Sequence, residues 1–332
     1  MRRLEGMNHV TTKSRSSAPL ALSLAARLNS ARWRALTVVL CVLGGGLFEA
    51  SAQSTFQLKP FKDNLFRYPG VLEQGYDGAY VRVDYLKARD IWKRDEIPER
   101  RVLSQYTQPR VSWQQRNRSL QVGPRTVEYF ALGAEDGARV VVIYLHGRNG
   151  SRHQGVNDYT FGGNFNRIKN LMARNRGLYI SPDFTNFSDE GHADIKALVY
   201  ENARRSPGAP IVVACGSMVG ALCWRLAKDP DISRFLGGIM LLGSLYDDSY
   251  FSSAGASVRS TPLPIYLGHG TWDQVFDWQE RLAFFERVKQ ARPTYPIRLA
   301  VFETGTHGTP IRMTDWRLTL NWMLTVRAGG QG

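Results

Sequence analysis

The sequence predicts an α/β protein with a mainly parallel central sheet flanked by helices, and three observations support this fold class. From residue 124 onward, short apolar segments alternate with segments of helical periodicity. Several apolar segments are continuous, which is typical of strands buried on both faces of a parallel sheet. The helical segments between them are long enough to connect parallel strands by crossovers.

The predicted elements follow one another regularly through the region 124–332, which we interpret as one domain. Strands are predicted at 126–132, 139–145, 177–180, 211–214, 238–242, 263–267 and 297–302. Helices are predicted at 165–174, 190–205, 218–227, 277–290 and 311–326. The first strand alternates as edge strands do, whereas the second is an uninterrupted apolar run. A functional site is expected where the carboxyl ends of such strands meet.

The connection 243–262 lies between two core strands and bears on access to that edge of the sheet. It contains eight Ser or Asp residues, namely Ser244, Asp247, Asp248, Ser249, Ser252, Ser253, Ser257 and Ser260. A short polar connection cannot form a large apolar cap, because such residues are mostly exposed. We therefore expect a short or absent lid and an open cleft.

Residues 1–52 have the features of a secretory signal peptide. A basic segment precedes an apolar run of 14 residues at 35–48, and Ala50-Ser51-Ala52 then offers a small-residue cleavage site. A membrane-spanning helix needs about 20 apolar residues. We therefore expect cleavage near Gln53, export to the periplasm or beyond, and no stable membrane span afterwards. An uncleaved anchor is the alternative.

Residues 53–123 have a less regular pattern, with many charges, several prolines and irregularly spaced aromatic residues. Only the segment 79–85 alternates as a strand would. We interpret 53–123 as an N-terminal extension that packs on the main domain at 124–332. A separate domain of about 70 residues is the alternative.

The formal net charge of the chain is +14 at pH 7. Residues 1–52 contain seven Lys or Arg and two acidic residues, so they account for five of these charges. The remaining Lys and Arg are scattered along the chain, whereas nucleic-acid binding requires them to cluster on one face. This pattern indicates a well-solvated basic surface, and no nucleic-acid partner is expected.

No cofactor or metal is expected from the sequence. The His, Cys and Asp residues do not follow a metal-ligand spacing. The Gly-rich segment Phe161-Gly-Gly163 lacks the Lys-Ser/Thr that a phosphate-binding loop needs. The oligomeric state is not indicated by any feature of the sequence.

Two cysteines, Cys215 and Cys223, follow the predicted signal peptide. They are only eight residues apart and fall on a strand end and in the helix after it. A disulfide requires Cα atoms within about 7 Å of each other. We therefore expect these cysteines to remain unbridged.

The segment 211–220 joins a buried strand to a helix through Cys-Gly-Ser-Met-Val-Gly. A sharp strand-to-helix turn would expose the hydroxyl of Ser217 and place the N–H of Met218 at a helix N-terminus. Such a turn is crowded and needs small neighbours, which here are Cys215, Gly216 and Gly220. Capping of an ordinary helix is the alternative role of the serine.

Three other strand ends carry groups that complement an exposed serine. His146-Gly147 follows one strand, and the glycine lets the backbone approach a bound carbonyl. A His-Gly-x-x-Asp segment ends at Asp273 after another strand, where helix capping is the alternative role. His307 lies in a Gly-rich loop after the last strand, where it could equally be a surface residue.

The order of these features along the chain resembles that of the α/β-hydrolase superfamily, and of exported bacterial serine esterases and dienelactone-hydrolase-like proteins within it. The resemblance covers about residues 126–326. It implies Ser217 as the nucleophile, His307 as the base and Asp273 as the acid that orients the base. It further implies an oxyanion hole from the backbone N–H groups of Met218 and Arg148, supported by the loop residues His146 and Gly147.

The resemblance implies an exported serine hydrolase that cleaves a carboxylic ester, on a small molecule or on a polymer, through an acyl-enzyme. A peptidase of the prolyl-oligopeptidase type and an inactive hydrolase-like binding module are alternatives. The binding module is motivated by Cys215 and by Val219, which stands where Gly or Ala is usual. Asp247 and Asp248 follow another strand and are alternatives to Asp273 as the acid.

Overall fold

The computed structural model describes residues 56–329, so the predicted signal peptide at 1–52 lies outside the described residues. The strands in this range are β1 (Val71–Gly75), β2 (Tyr80–Val83), β3 (Asp95–Ile97), β4 (Arg101–Val102), β5 (Arg116–Val122), β6 (Arg125–Gly133), β7 (Val141–Leu145), β8 (Leu178–Pro182), β9 (Ile211–Gly216), β10 (Leu236–Leu242), β11 (Ile265–Gly270) and β12 (Ile297–Phe302). The α-helices are α1 (Asp63–Phe66), α2 (Asn164–Arg174), α3 (Asp189–Arg205), α4 (Gly220–Lys228), α5 (Pro230–Ser233), α6 (Ala254–Ser257), α7 (Trp278–Ala291), α8 (Thr309–Met313) and α9 (Trp316–Gly329). Within 56–329, no helix is both long and apolar enough to cross a membrane.

Ten strands form one sheet in the order β1-β2-β12-β11-β10-β9-β7-β8-β6-β5. Neighbours from β8 to β2 are parallel, whereas β1, β6 and β5 pair antiparallel at the two edges. Every residue of β7, β8, β9, β10 and β11 is buried, as the continuous apolar runs predict for strands covered on both faces. The predicted mainly parallel sheet flanked by helices is confirmed.

Successive side chains of each strand enter two different cores, because strand side chains alternate between the faces of a sheet. Ile143 packs in a core with α3, α4 and α7, and Tyr144 packs on the other face with α2 and α9. Burying each large apolar side chain stabilises the fold by about 1.5–3 kcal/mol. The helices therefore hold the sheet from both sides and leave its carboxyl edge to the loops.

The strand registers bring the carboxyl ends of the central strands level with one another. Leu145 of β7 pairs with Cys215 of β9, and Leu242 of β10 pairs with Gly216. On the other side of β10, Gly270, the last residue of β11, pairs with Phe302, the last residue of β12. The loops that follow β7, β9, β11 and β12 consequently begin along one line at this edge.

The predicted closing helix at 311–326 is wrong as a single element, because α8 and α9 are separate helices. Asp315 stands between them, and its Oδ1 accepts a hydrogen bond from the N–H of Leu318, which caps the start of α9. The same Oδ1 lies 2.9 Å from Nη1 of the buried Arg167. A capping carboxylate that also pairs with a buried cation ends one helix and begins the next.

The expectation that Cys215 and Cys223 remain unbridged is wrong. Their sulfurs are 2.03 Å apart and form a disulfide, and their Cα atoms are separated by 6.3 Å. Cys215 lies near the end of β9, and a short 3-10 turn at Ser217–Val219 leads directly into α4. This turn folds the first part of α4 back over the end of the strand, which brings the two cysteines within bonding range.

Residues 56–123 contribute strands at both edges of the sheet and a separate hairpin. β1 and β2 extend the sheet beyond β12, and β5 pairs with β6 at the opposite edge. The predicted strand at 79–85 corresponds to β2. β3 and β4 form a two-stranded ribbon, and Asp95 in β3 accepts a hydrogen bond of 2.6 Å from Arg312 in α8. This buried ion pair fixes the β3–β4 ribbon beside the loop that contains His307.

Candidate active site

Ser217 occupies the sharp turn between β9 and α4, where its backbone is in the left-handed region with a φ of 64°. For a residue with a Cβ, this conformation costs about 1–3 kcal/mol, so the surrounding contacts must hold it in place. One such contact is the hydroxyl of Ser244, which donates a hydrogen bond to the carbonyl oxygen of Ser217. The turn presents the Ser217 side chain at the carboxyl edge of the sheet.

The neighbours of Ser217 show why the turn needs small residues. A Cβ on Gly220 would lie 2.0 Å from Oγ of Ser244, and a Cβ on Gly216 would lie 3.0 Å from the hydroxyl of Tyr144. Val219 is accommodated because its side chain is fully buried in the core with α3 and α4. The unusual valine is therefore compatible with the turn.

The structure brings the three residues predicted as nucleophile, base and acid within hydrogen-bonding distance of one another. Nε2 of His307 lies 2.8 Å from Oγ of Ser217. Nδ1 of the same ring lies 2.8 Å from Oδ2 and 3.0 Å from Oδ1 of Asp273. The imidazole thus connects the hydroxyl to the carboxylate, an arrangement that can move a proton from the serine.

The loop after β11 holds the carboxylate of Asp273 in a fixed orientation. Oδ1 accepts hydrogen bonds from the backbone N–H groups of Val275 at 2.8 Å and Phe276 at 3.2 Å. The side chain is completely enclosed. Burial raises the pKa of Asp273, but the hydrogen bonds from His269, His307 and Val275 outweigh it and hold the pKa well below its usual range.

His269 contacts the carboxylate from the other side, although the sequence predicts no role for it beyond the loop motif. Its ring is 1% exposed, and Nε2 lies 3.1 Å from Oδ2 of Asp273 and 2.9 Å from the carbonyl oxygen of Phe276. With its proton on Nε2, the ring donates to both oxygens and orients the carboxylate. The signal that could have predicted this contact is its position at the end of a buried strand, four residues before Asp273.

The two alternative acids have other partners among the described residues. Asp247 accepts a hydrogen bond of 2.6 Å from Lys228 and caps a short turn at Ser249. Asp248 accepts one of 2.8 Å from Arg287. The geometry therefore favours Asp273 as the partner of the His307 ring.

The loop after β7 lies directly against Ser217. A Cβ on Gly147 would lie 3.0 Å from Cβ of Ser217 and 3.1 Å from the carbonyl oxygen of Gly216, so a glycine lets the loop approach the serine this closely. The N–H of Met218 begins a helical turn and has no intrahelical acceptor. The N–H of Arg148 belongs to the same loop as Gly147 and donates to none of the described residues.

His146 is placed to support this loop. Its side chain is buried and stacks on Phe184 with a ring separation of 4.6 Å. Its Nδ1 lies 2.9 Å from the carbonyl oxygen of Gly147. This contact fixes the backbone of the loop on the side that faces Ser217.

Several solved structures resemble this chain at low sequence identity. An esterase of Pyrococcus furiosus is 17% identical, with a TM-score of 0.50 over 68% of this chain and 95% of that one. An α/β serine hydrolase homologue from Coxiella burnetii is 14% identical, with a TM-score of 0.44 over 62% of this chain and 95% of that one. A thermophilic esterase from Thermogutta terrifontis is 16% identical, with a TM-score of 0.43 over 59% of this chain and 83% of that one.

No family model matches the chain, and no curated protein matches it in sequence. Three observations identify the fold, namely the sheet order, the crossover helices and the likeness to the Pyrococcus furiosus structure. The chain therefore has the α/β-hydrolase fold.

Proposed function

We propose that the protein is a serine hydrolase that cleaves a carboxylic ester through an acyl-enzyme intermediate. The observation that carries this proposal is the continuous series of hydrogen bonds from Ser217 through His307 to Asp273. A serine hydroxyl is a weak nucleophile unless an adjacent base removes its proton. The 2.8 Å contact between the hydroxyl and the imidazole supplies that base.

Formation of the acyl-enzyme begins when Oγ of Ser217 attacks the acyl carbon and Nε2 of His307 takes the hydroxyl proton. The carboxylate of Asp273, ionised because its pKa is low, stabilises the imidazolium. The negative charge that develops on the carbonyl oxygen is stabilised by the N–H groups of Met218 and Arg148. The imidazolium then donates its proton to the leaving oxygen as the bond from that oxygen to the acyl carbon breaks.

Hydrolysis of the acyl-enzyme uses the same groups. His307 takes a proton from water, the resulting hydroxide attacks the acyl carbon, and the imidazolium returns a proton to Oγ of Ser217. During this step the same N–H groups bind the carbonyl oxygen of the acyl group, and the acid product then leaves. No step needs an oxidant, a reductant or a second substrate besides water.

The proposal is tested by covalent labelling with a fluorophosphonate probe, which reacts with activated serines. The wild-type protein is expected to be labelled, and Ser217→Ala is expected not to be. A panel of nitrophenyl esters and aminoacyl amides on the same preparations separates an esterase from a peptidase. A folded wild-type protein that is neither labelled nor active on the panel would instead be the hydrolase-like binding module.

We propose that the substrate is a soluble ester or an ester group on a polymer, because the connection after β10 offers no apolar cap. The connection folds as short helical turns that pack on α4 and α5. Of its three aromatic residues, Tyr250 is buried, and Tyr246 and Phe251 are partly buried against the core. Its acidic residues Asp247 and Asp248 pair with Lys228 and Arg287. An unburied acyl chain gains none of the roughly 0.8 kcal/mol that burial of each methylene would supply.

Nitrophenyl butyrate is accordingly expected to be cleaved with at least about tenfold higher kcat/KM than nitrophenyl laurate, a difference of roughly 1.4 kcal/mol in transition-state stabilisation. The rate is expected to rise smoothly as the ester concentration passes its solubility limit. Initial rates measured across that limit check both points. The reverse result, in which long-chain triglyceride emulsions are the best substrates and activate the protein, would show that a cap forms.

We further propose that the protein is exported and that cleavage occurs near Gln53. The apolar run at 35–48 motivates the cleavage, and the disulfide between Cys215 and Cys223 supports an oxidising compartment. Intact-mass analysis of the exported protein is expected to give a chain that begins near Gln53 and whose cysteines are alkylated only after reduction. Retention of residues 1–52 in that fraction would contradict cleavage.

A further inference from the structure

A cleft of about 250 Å³ lies beside the loop that contains His307. Two parts of the chain build most of its wall, namely the residues after β12 and the N-terminal region that includes the β3–β4 ribbon. Its lining consists of Tyr85, Ile91, Glu99, Phe161, Thr306, Gly308, Thr309 and Arg312.

The position of the cleft relates it to the leaving group of the ester. His307 must donate a proton to the leaving oxygen, so that oxygen has to come within hydrogen-bonding distance of Nε2. Thr306 and Gly308, the two neighbours of His307 in sequence, both line the cleft. The cleft thus begins at the two residues that flank His307, on a different loop from Gly147, which borders Ser217.

The two charged side chains in the wall of the cleft differ in how closely each is paired with an opposite charge. Arg312 is buried, and its guanidinium donates 2.6 Å to Asp95 and 2.9 Å to the carbonyl oxygen of Asp90, so its charge is paired. Glu99 has a side chain that is 62% exposed, and Lys87, the cation paired with it, lies 4.0 Å away with a side chain that is also mostly exposed. The carboxylate of Glu99 is thus the weakly paired charge in this wall.

The remaining wall suits an apolar ring. Tyr85 and Ile91 are buried residues of the N-terminal region, and Phe161 adds a second aromatic ring. Aromatic faces attract cations as well as apolar groups. Glu99 itself is held in the turn of the β3–β4 hairpin, because its N–H donates 2.7 Å to Oδ2 of Asp95. The carboxylate is therefore carried by an anchored turn.

We propose that this cleft binds the alcohol part of the ester, and that the preferred alcohol has a single ring with a cationic substituent. The volume of the cleft is below the 300–1,000 Å³ or so of pockets for larger ligands, which favours one ring. The inference rests on the proposed ester hydrolysis. It gives the N-terminal region a direct part in substrate selection.

Two acetate esters of nearly equal shape test the charge preference, 3-(trimethylammonio)phenyl acetate and 3-tert-butylphenyl acetate. Both form the same acetyl-enzyme, so kcat/KM compares the steps in which the alcohol is still bound. The ratio of kcat/KM for the cationic over the neutral ester is measured in wild type and in Glu99→Gln. Differences in intrinsic reactivity cancel, because the same two esters are used on both proteins.

In Glu99→Gln the ratio is expected to fall about two- to fivefold at low ionic strength, since a partly exposed charge pair contributes up to about 1 kcal/mol. The difference between the proteins is expected to shrink at high salt, because salt screens such charges. Glu96→Gln is the matched control, as it removes the same charge from the same ribbon. Glu96 lies outside the lining and pairs with Arg101 at 2.9 Å.

An unchanged ratio in Glu99→Gln, or an equal fall in Glu96→Gln, would overturn the inference while ester hydrolysis itself continued. Failure of the proposed function gives a different result, since wild type would then neither cleave the neutral ester nor react with a fluorophosphonate. Melting temperatures of both variants verify that the ribbon is folded. Both side chains are exposed, so little change in stability is expected.

Discussion

Replacement of Ser217 by alanine is expected to lower kcat for ester cleavage by about 10⁴- to 10⁶-fold, the range typical of the loss of a nucleophile that acts as a unit with its base. Without Oγ there is no acyl-enzyme, and only the oxyanion donors and substrate binding remain to assist water. Steady-state hydrolysis of nitrophenyl butyrate measures the effect. Active-site titration of each preparation excludes traces of wild-type protein as the source of residual activity.

The control is Ser252→Ala, which removes a hydroxyl from the exposed connection after β10. This variant is expected to retain the wild-type rate. The φ of 64° at Ser217 is equally demanding for alanine, so Ser217→Ala is expected to melt near the wild-type temperature. A folded Ser217→Ala protein within tenfold of wild-type kcat would contradict the role of this serine.

The elements that could be predicted from the sequence are those whose patterns are local. Continuous apolar runs identified strands such as β7 and β9, because a strand covered on both faces has no polar positions to interrupt it. Ser217, Asp273 and His307 each lie in the connection that follows a strand of this sheet. Since parallel strands end at one edge, their convergence could be predicted before any contact between Ser217, Asp273 and His307 was known.

The features that could not be predicted depend on contacts between distant parts of the chain. The break between α8 and α9 is set by Asp315, which pairs with Arg167 of α2. The β3–β4 ribbon is anchored by the pair of Asp95 with Arg312, 217 residues later. The conformation of short strands and of loops without a periodic apolar pattern is determined by such contacts. The two partners are far apart in the sequence, so no short segment of it contains both.

The positive charge illustrates the same point. Scattered Lys and Arg are typical of a solvated surface, but Arg167 and Lys169 of α2 are fully buried. Each has a carboxylate close by, with Nζ of Lys169 at 2.8 Å from Asp158. Basic residues that are spaced along a chain can therefore form buried ion pairs. Their spacing alone does not distinguish a buried, paired residue from a solvated one.

Replacement of Asp273 by asparagine is expected to lower kcat/KM by about 10⁴-fold, as for other acids that fix the tautomer of a catalytic histidine. The backbone N–H groups of Val275 and Phe276 point at Oδ1, so the amide oxygen of the asparagine takes that position. Its NH₂ group then faces Nδ1 of His307. The ring must accept there and keep its proton on Nε2, where it can no longer accept a proton from Ser217.

The matched control is Asp248→Asn, which changes an alternative acid that pairs with Arg287, and it is expected to stay near the wild-type rate. A larger loss in Asp248→Asn than in Asp273→Asn would assign the acid to the other loop.

Stability gives a second measurement, because the pKa of Asp273 is lower in the folded than in the unfolded chain. Its ionised form therefore stabilises the fold above the unfolded pKa of about 3.9, and this contribution is lost as the pH falls below that value toward the folded pKa. Urea unfolding between roughly pH 5 and pH 2 is expected to show a smaller loss of unfolding free energy in Asp273→Asn than in wild type, because asparagine has no proton to gain.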